Sequence, residues 1–516
     1  MQSLKIWEDK IKEKRKSTPW REFLQEIVSW MPLNLYKNQN LISRFPPTTR
    51  SNIISTKQFE QERESLTHYG RDYDFEKDFF ENIALLKKEI PFPNLMDYGG
   101  TEKCEYADIT YNTKNVYLSF NSVWDNENIY YTLGTKGNCH NVFNGVHIWD
   151  NSSNIYSSAS IIKSYNIFFS DFIINSNNIW MSRNLIGCEE CIFCEDLENQ
   201  KYCIENKSYE KEIYFNKKKE ILRNKKNLGK IKSEKYGKNF GSSSISGSFI
   251  IDSENIINGV KVYQVKEGRN LILTGSEKGD ERMYDVCVGG SGVSYDYAGA
   301  CSSGTAQNIY ICDSIGMSSN IYYSLNISDC SFCLGCIGLK NKSFCIFNKQ
   351  YSKEEWYELA DKIFASMEKD GILGDFFPGS LNPFYFNDTM AYLIDDSFTK
   401  EEVGKEGFMW RDEKIKVDIP EGAEIVYAKN PPVLSDIPLI KGDSQSGAKA
   451  GGLNDYQGFD ENGNWKINPE ILKKVIIDND GNYYKIVPME YDFLMKYGLP
   501  LPEVHWLERI KMGFKI

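Results

Sequence analysis

The sequence predicts a mainly β protein built from two tandem β-solenoids, and three observations carry that expectation. Asn followed by an apolar pair returns every 12 or 13 residues: Asn115-Val-Tyr, Asn128-Ile-Tyr, Asn141-Val-Phe, Asn154-Ile-Tyr, Asn166-Ile-Phe and Asn178-Ile-Trp. A block of four cysteines, Cys188, Cys191, Cys194 and Cys203, recurs as Cys330, Cys333, Cys336 and Cys345, each shifted by 142 residues. Composition is the third: 32 Tyr and 29 Phe stand against only 16 Pro, and Asn, Ser and Gly fill the gaps between apolar pairs. That bias favours short strands joined by turns over a helical bundle.

The 516 residues allow several domains with substantial cores. Residues 1–100 form an N-terminal flank with helical character. Its opening, "MQSLKIWEDKIKEKRKSTPW", is charged and lacks the apolar core of a signal peptide. No stretch reaches the roughly 20 apolar residues that span a bilayer. The expected location is therefore cytoplasmic, where disulfides are rare, so the 13 cysteines are expected as buried thiols or metal ligands.

Residues 101–205 are the first solenoid. A second apolar pair follows most Asn phrases, as in Ile148-Trp149, Ile161-Ile162 and Ile173-Ile174. Units this short and β-branched do not fit helical repeats. Inward Ile and Val would form a core ladder with strands about 4.8 Å apart along the axis. Asn at a corner tolerates left-handed backbone and can bond its neighbours above and below. Two units per coil, about 25 residues, are expected, since a one-unit coil leaves little room for large side chains inside.

Residues 206–240 are a basic helical linker with twelve Lys or Arg against four Glu between Asn206 and Lys238. A solvated connector is the plain interpretation. A contact for nucleic acid or a ribosome, through Lys217, Lys218, Lys219, Arg223, Lys225 and Lys226, is the alternative. Residues 241–350 are the second solenoid, marked by Asn255-Ile-Ile, Asn270-Leu-Ile, Asn308-Ile-Tyr and Asn320-Ile-Tyr. Its glycine-rich stretch from Val288 to Gly304 lacks the Gly-Lys-Ser/Thr of a phosphate loop. Residues 351–415 hold a helical cap, with Trp356, Leu359 and Ile363 at helical spacing, and an extended segment. Residues 416–516 form the C-terminal flank.

Four thiolates could complete a tetrahedral zinc site, so both quartets are candidate metal ligands. Against that, Cys191 occupies the Asn slot of the repeat, and thiols are among the most buried side chains. A buried thiol ladder is thus the competing expectation. An iron–sulfur site is weaker, because the fourth cysteine is distant and no Pro follows it. Zinc is the only cofactor the spacing suggests, and no cofactor is required. His68, His140, His147 and His505 are the only histidines, and no nucleophile–base or metalloprotease signature accompanies them. "DENGNW" from Asp460 and "DNDGNYY" from Asp478 miss calcium-loop spacing and are expected as hairpin turns.

Several phrases together resemble a known family: "YGRDYDFEKDFFENIALLKKEIPFPNL" from Tyr69, both cysteine blocks with their C-I-x-N-K-x-Y endings, "GDFFPGSLNPFYFNDTMA" from Gly374, and "YYKIVPMEYDFLMKYGLPLP" from Tyr483. The chain is similar, from about Leu41 onward, to cysteine-rich proteins of candidate-phyla-radiation (Patescibacteria) bacteria. That resemblance implies zinc-ribbon segments flanking duplicated repeats, and it implies no activity. The ribbon cysteine pairs are missing here: "IISTKQFEQERES", "IIDNDGNYYKI" and "LPLPEVHWLERIKMGF" stand in their places. Degenerate, metal-free ribbon-like ends are the expectation.

Functionally, the repeats point to a non-enzymatic scaffold for self-assembly or for protein partners, expected as a homo-oligomer. A net charge of -11 opposes whole-surface nucleic-acid binding. A carbohydrate-active β-helix enzyme is the remaining alternative and would need clustered carboxylates, for which Asp125, Asp150 and Asp171 are the candidates.

Overall fold

The computed structural model describes residues 2–38, 40–49, 52–223, 239–290, 294–302, 304–413, 419, 421–428, 455–460 and 464–514. Two stacks of parallel strands dominate it, one from Tyr106 to Ile204 and one from Ser243 to Ile346. Each ends in a short antiparallel strand and a helix, Lys211–Arg223 after the first and Lys353–Lys369 after the second.

One repeat unit makes one coil. Asn141 stacks at the corner between Asn128 and Asn154, and His140 pairs with Ser153, Ser153 with Tyr165 and Asn177 with Tyr165, so a coil is 13 and then 12 residues long. The expectation of two units per coil is therefore corrected. Backbone conformation explains how so short a coil closes. Positive φ recurs at every third residue, as at Asn154, Ser157, Ser160 and Lys163, which gives four left-handed corners per coil. Each triplet is one inward residue, one outward residue and one corner.

The inward columns hold Ile155, Ile161, Ile167, Ile173, Ile179 and Leu185, alternating with Ser152, Ser158, Ser164, Ser170, Ser176 and Ser182. Ile and Ser fit the narrow interior, while the aromatic residues of the first copy stay outside that inward cluster, which removes the steric objection to a short coil. The serines satisfy the interior backbone. Ser164 Oγ donates to the Ile162 carbonyl at 2.8 Å and accepts the Ser176 amide at 3.1 Å. Ser170 does the same with Phe168 and Ser182.

The predicted Asn column is present as one line of amide-to-amide bonds. Asn115 donates to Asn128 at 2.7 Å, Asn128 to Asn141 at 2.9 Å, Asn141 to Asn154 at 3.1 Å, Asn154 to Asn166 at 3.0 Å and Asn166 to Asn178 at 2.8 Å.

The two solenoids lie side by side and antiparallel. Lys136 Nζ meets the Gly290 carbonyl at 3.0 Å, Trp149 packs on Tyr263, Lys261 Nζ bonds Ser160 Oγ at 2.8 Å, and Phe172 packs on Phe249. Partner numbers fall as those of the first copy rise. The flanks cross over. Phe79, in the helix Phe79–Glu89, packs on Tyr323 and Phe347, and Lys12 and Glu8 of the helix Gln2–Ser17 bond Asp296 and Tyr322, all in the second copy. Phe493, in the helix Pro488–Tyr497, packs on Phe143, Tyr156 and Phe168 of the first copy. Each solenoid thus also packs against the flank farther from it in sequence.

Candidate functional site

Both cysteine quartets lie inside the last coils. Cys188, Cys191 and Cys194 are three successive inward residues of one coil, and Cys203 stands directly above Cys191, its register partner. Cys330, Cys333, Cys336 and Cys345 repeat this, with Cys333 paired to Cys345. The two-residue spacers therefore equal the triplet period of the coil. Two cysteines of each quartet replace serine in its inward column: the Cys188 and Cys194 amides donate to Ser176 and Ser182 at 2.9 and 3.0 Å, and those of Cys330 and Cys336 to Ser318 and Ser324 at 3.1 and 3.0 Å. Cys191 and Cys333 instead follow Ile179 and Ile321 in the isoleucine column, and Glu190, not Cys191, takes the Asn slot.

The rest of the recurring phrase closes the stack. Asn206 accepts from the Glu195 amide and donates to its carbonyl, both at 2.8 Å. Asn348 makes the same two bonds to Ile337, also at 2.8 Å. A side-chain amide thereby stands in for the next coil's backbone. Beyond it, Tyr214 packs on Tyr202 and Trp356 on Phe344, again offset by 142 residues, and Trp356 Nε1 bonds the Cys345 carbonyl at 3.1 Å. The duplicated unit includes its capping helix.

All 13 cysteines are free thiols, and all but the half-buried Cys104 are buried. Hydrogen bonding from Cys191 draws the Cys188 thiol down to about 7, while bonding to Cys188 and Cys194 drives Cys191 far up. Cys333 is pushed up in the same way by Cys330, Cys336 and Cys345. Cys194 Sγ donates to the Ile192 carbonyl at 3.3 Å and Cys330 Sγ to the Ser328 carbonyl at 3.1 Å, both in their own coils, whereas Cys188 Sγ also reaches the Leu197 carbonyl of the next coil at 3.4 Å. Among the described residues no group of three or more His, Cys, Asp and Glu is arranged to hold a metal ion.

The other candidates disperse. In the linker, Lys218 pairs with Glu190 and Lys217 lies over the Tyr209 ring at 5.3 Å, while Lys219 is exposed. Arg223 ends the helix, and Lys225 and Lys226 lie outside the described residues. Asp125 accepts from Asn112 at an exposed corner, Asp150 is buried at another corner, and Asp171 sits on the strand between Ala159 and Arg183. The three occupy different columns and form no carboxylate pair. His140 lies on the outer face near Asn138, and His147 is fully buried between the solenoids, where desolvation and the charges of Lys261 and Lys136 hold it neutral. Asp478 accepts the Asp480 and Asn482 amides at 3.0 and 2.8 Å in a hairpin turn, as predicted, and Asp460 likewise accepts from Asn464.

Among the described residues, one long row on the first solenoid is at least partly exposed. Glu127, His140, Ser153, Tyr165, Asn177, Glu189 and Lys201 are consecutive register partners, all at least partly exposed, beside the Asn column. Tyr295, Gln307, Ser319, Ser331 and Ser343 form the matching row on the second, beside Asn308, which bonds Asn320 at 3.0 Å. Single-residue motifs could not reveal these rows, because their members differ in type and share only a position in the coil. No helix among the described residues is long and apolar enough to cross a membrane. Comparison of the chain with family models, with curated proteins and with solved structures finds no match.

Proposed function

We propose that this chain is a non-catalytic scaffold that engages an extended partner, a protein or a second copy of itself, along its two exposed rows. The observation that supports this is the register: seven partly exposed side chains of the first copy stand one per coil, from Glu127 to Lys201, about 4.8 Å apart. A surface that repeats nearly unchanged from coil to coil suits a partner that repeats or extends as well. The cysteine-rich end of each stack is closed by Asn206 or Asn348 and a helix, which directs assembly to the faces. Thirteen free thiols fit a reducing, cytoplasmic setting.

The family resemblance enters the same proposal as a metal-free, ribbon-like C-terminal end. Strands Ile425–Tyr427, Val475–Ile477 and Tyr483–Tyr484 form its small sheet. Asp478 organises the hairpin and also accepts the His505 amide at 3.0 Å, while His505 Nδ1 accepts the Leu507 amide as a helix cap. Carboxylate and imidazole thus make the hydrogen bonds that hold the two turns together.

A photo-crosslinking residue placed at Tyr165 or Gln307 tests the scaffold reading in the host cytoplasm and on purified protein. Capture of a protein or of a second copy from both rows is expected. Capture from neither, with the purified protein strictly monomeric, would refute it.

A further inference from the structure

A cavity of about 360 Å³ opens where the first coils of copy one meet the later coils of copy two. It follows from the antiparallel docking, since neither solenoid alone has both walls. Tyr111, Val123 and Trp124 stand on one side and Ile315 and Met317 on the other. Trp124 is half-buried and meets the Tyr111 ring edge-on at 5.1 Å.

Two polar side chains in this lining lack what buried groups need. Asn121 is 3% exposed and Ser328 is 5% exposed, and Asn121 Nδ2 and Ser328 Oγ have no hydrogen-bond partner among the described residues. A buried polar atom left so costs about 1–3 kcal/mol, so a pair facing one cavity points to something that fills it. Both are neutral groups, one an N–H donor and one a hydroxyl. Tyr98, also in the lining, keeps its phenolic proton because burial raises its pKa well above the ordinary value.

Charge narrows the ligand class. Arg63 is committed to the carbonyls of Gly338 and Asn326 and to Glu60, Lys340 is paired with Glu60, and Asp329 adds an acidic group to the rim. Among the described residues of the lining, neither Arg63 nor Lys340 is left unpaired for a phosphate or carboxylate. We propose that the cavity binds a neutral sugar ring of one or two hexose units. The apolar face of the ring would lie against Trp124, and its hydroxyls would meet Asn121, Ser328 and Tyr98. The volume falls in the range of small-molecule sites and at its lower end. The site is independent of the exposed rows.

The test uses the full chain, calorimetry, and saturation-transfer difference NMR with neutral hexoses, N-acetylhexosamines and their disaccharides, with nucleosides as the competing class. Gly316 lies in the wall, has an ordinary backbone conformation, and a Cβ there would meet Tyr98 and Ser328 only at 3.8 and 3.9 Å, so Gly316→Leu fills the cavity without backbone strain. Ser328→Ala removes one hydroxyl and keeps the shape. At least one sugar should bind at millimolar concentration, with affinity lost in Gly316→Leu and reduced about tenfold in Ser328→Ala, both variants keeping the parent's circular dichroism. No sugar bound by the parent, equal binding of nucleosides, or binding unchanged in either variant would overturn the proposal.

Discussion

Replacing Asn141 by Ala and, separately, by Gly separates the two jobs assigned to the corner asparagines. Asn141 has φ 56°, accepts from Asn128 at 2.9 Å and donates to Asn154 at 3.1 Å. Alanine at that φ costs about 1–2 kcal/mol of backbone strain. Loss of two half-exposed hydrogen bonds adds about 1 kcal/mol, at the low end of such bonds because water can replace them. Asn141→Ala should therefore destabilise its coil by about 2–3 kcal/mol. Glycine loses the same bonds and is free of the strain, but it gives the unfolded chain more entropy, about 0.5–1 kcal/mol. The alanine variant should thus be about 1 kcal/mol worse than the glycine variant. Native-state hydrogen exchange reads this locally, which is preferable in a repeat protein whose coils can open separately. Protection of the His140–Ile162 amides should fall in both variants, about fivefold further in Asn141→Ala. Equal protection in the two variants, or none lost in either, would refute the assignment of left-handed corners joined by an amide ladder.

Burial between the solenoids lowers Lys136 and Lys261 to about 8 from the usual 10.5. Between those values the unfolded chain holds protons that the folded chain has released, so stability should rise from about pH 8 to pH 10.5. Urea titrations of Lys136→Met and Lys261→Met should each show a flatter rise over that window, and an unchanged slope would argue that these amines are solvated. A thiol reagent should reach Cys104 first in the native protein, and slowly, because burial pushes its thiol up to about 11, whereas all 13 cysteines should react after denaturation; rapid reaction of a whole quartet would contradict the inward placement. Metal analysis of protein purified without chelator should find no stoichiometric zinc, and two zinc ions per chain, lost in Cys191→Ser and Cys333→Ser variants, would overturn the assignment of the quartets as inward packing residues in the serine and isoleucine columns.

Much of the fold was legible because it repeats. The Asn column, the 142-residue duplication and the hairpins at Asp460 and Asp478 all follow from residue types at fixed spacing. Coil size was less legible. A period of 12 or 13 does not state whether the next unit stacks above or completes the same turn, and a narrow coil has no room inside for Tyr156 or Trp180, which stand on its outer side. The spacing C-x2-C-x2-C held the answer, since it is the triplet period written in cysteine, but the same spacing also serves metal knuckles. The docking of the solenoids and the crossing of the flanks were not legible, because nothing in the residue types of Lys136 and His147 of one copy and Phe249 and Lys261 of the other marks them as partners, and they meet only in three dimensions. Asn121 and Ser328 were invisible for the same reason.

The antiparallel pairing of two one-unit-per-coil solenoids underlies every assignment above, and one measurement tests it most directly. A photo-crosslinking phenylalanine analogue at Phe172, whose ring lies 5.7 Å from Phe249, is activated in the purified chain and its adducts are mapped by mass spectrometry. Adducts within Ser243–Tyr263 are expected, because that segment opens the second solenoid beside the closing coils of the first. Adducts concentrated in Ala306–Leu334, where a parallel pairing would place the partner coil, would contradict the account.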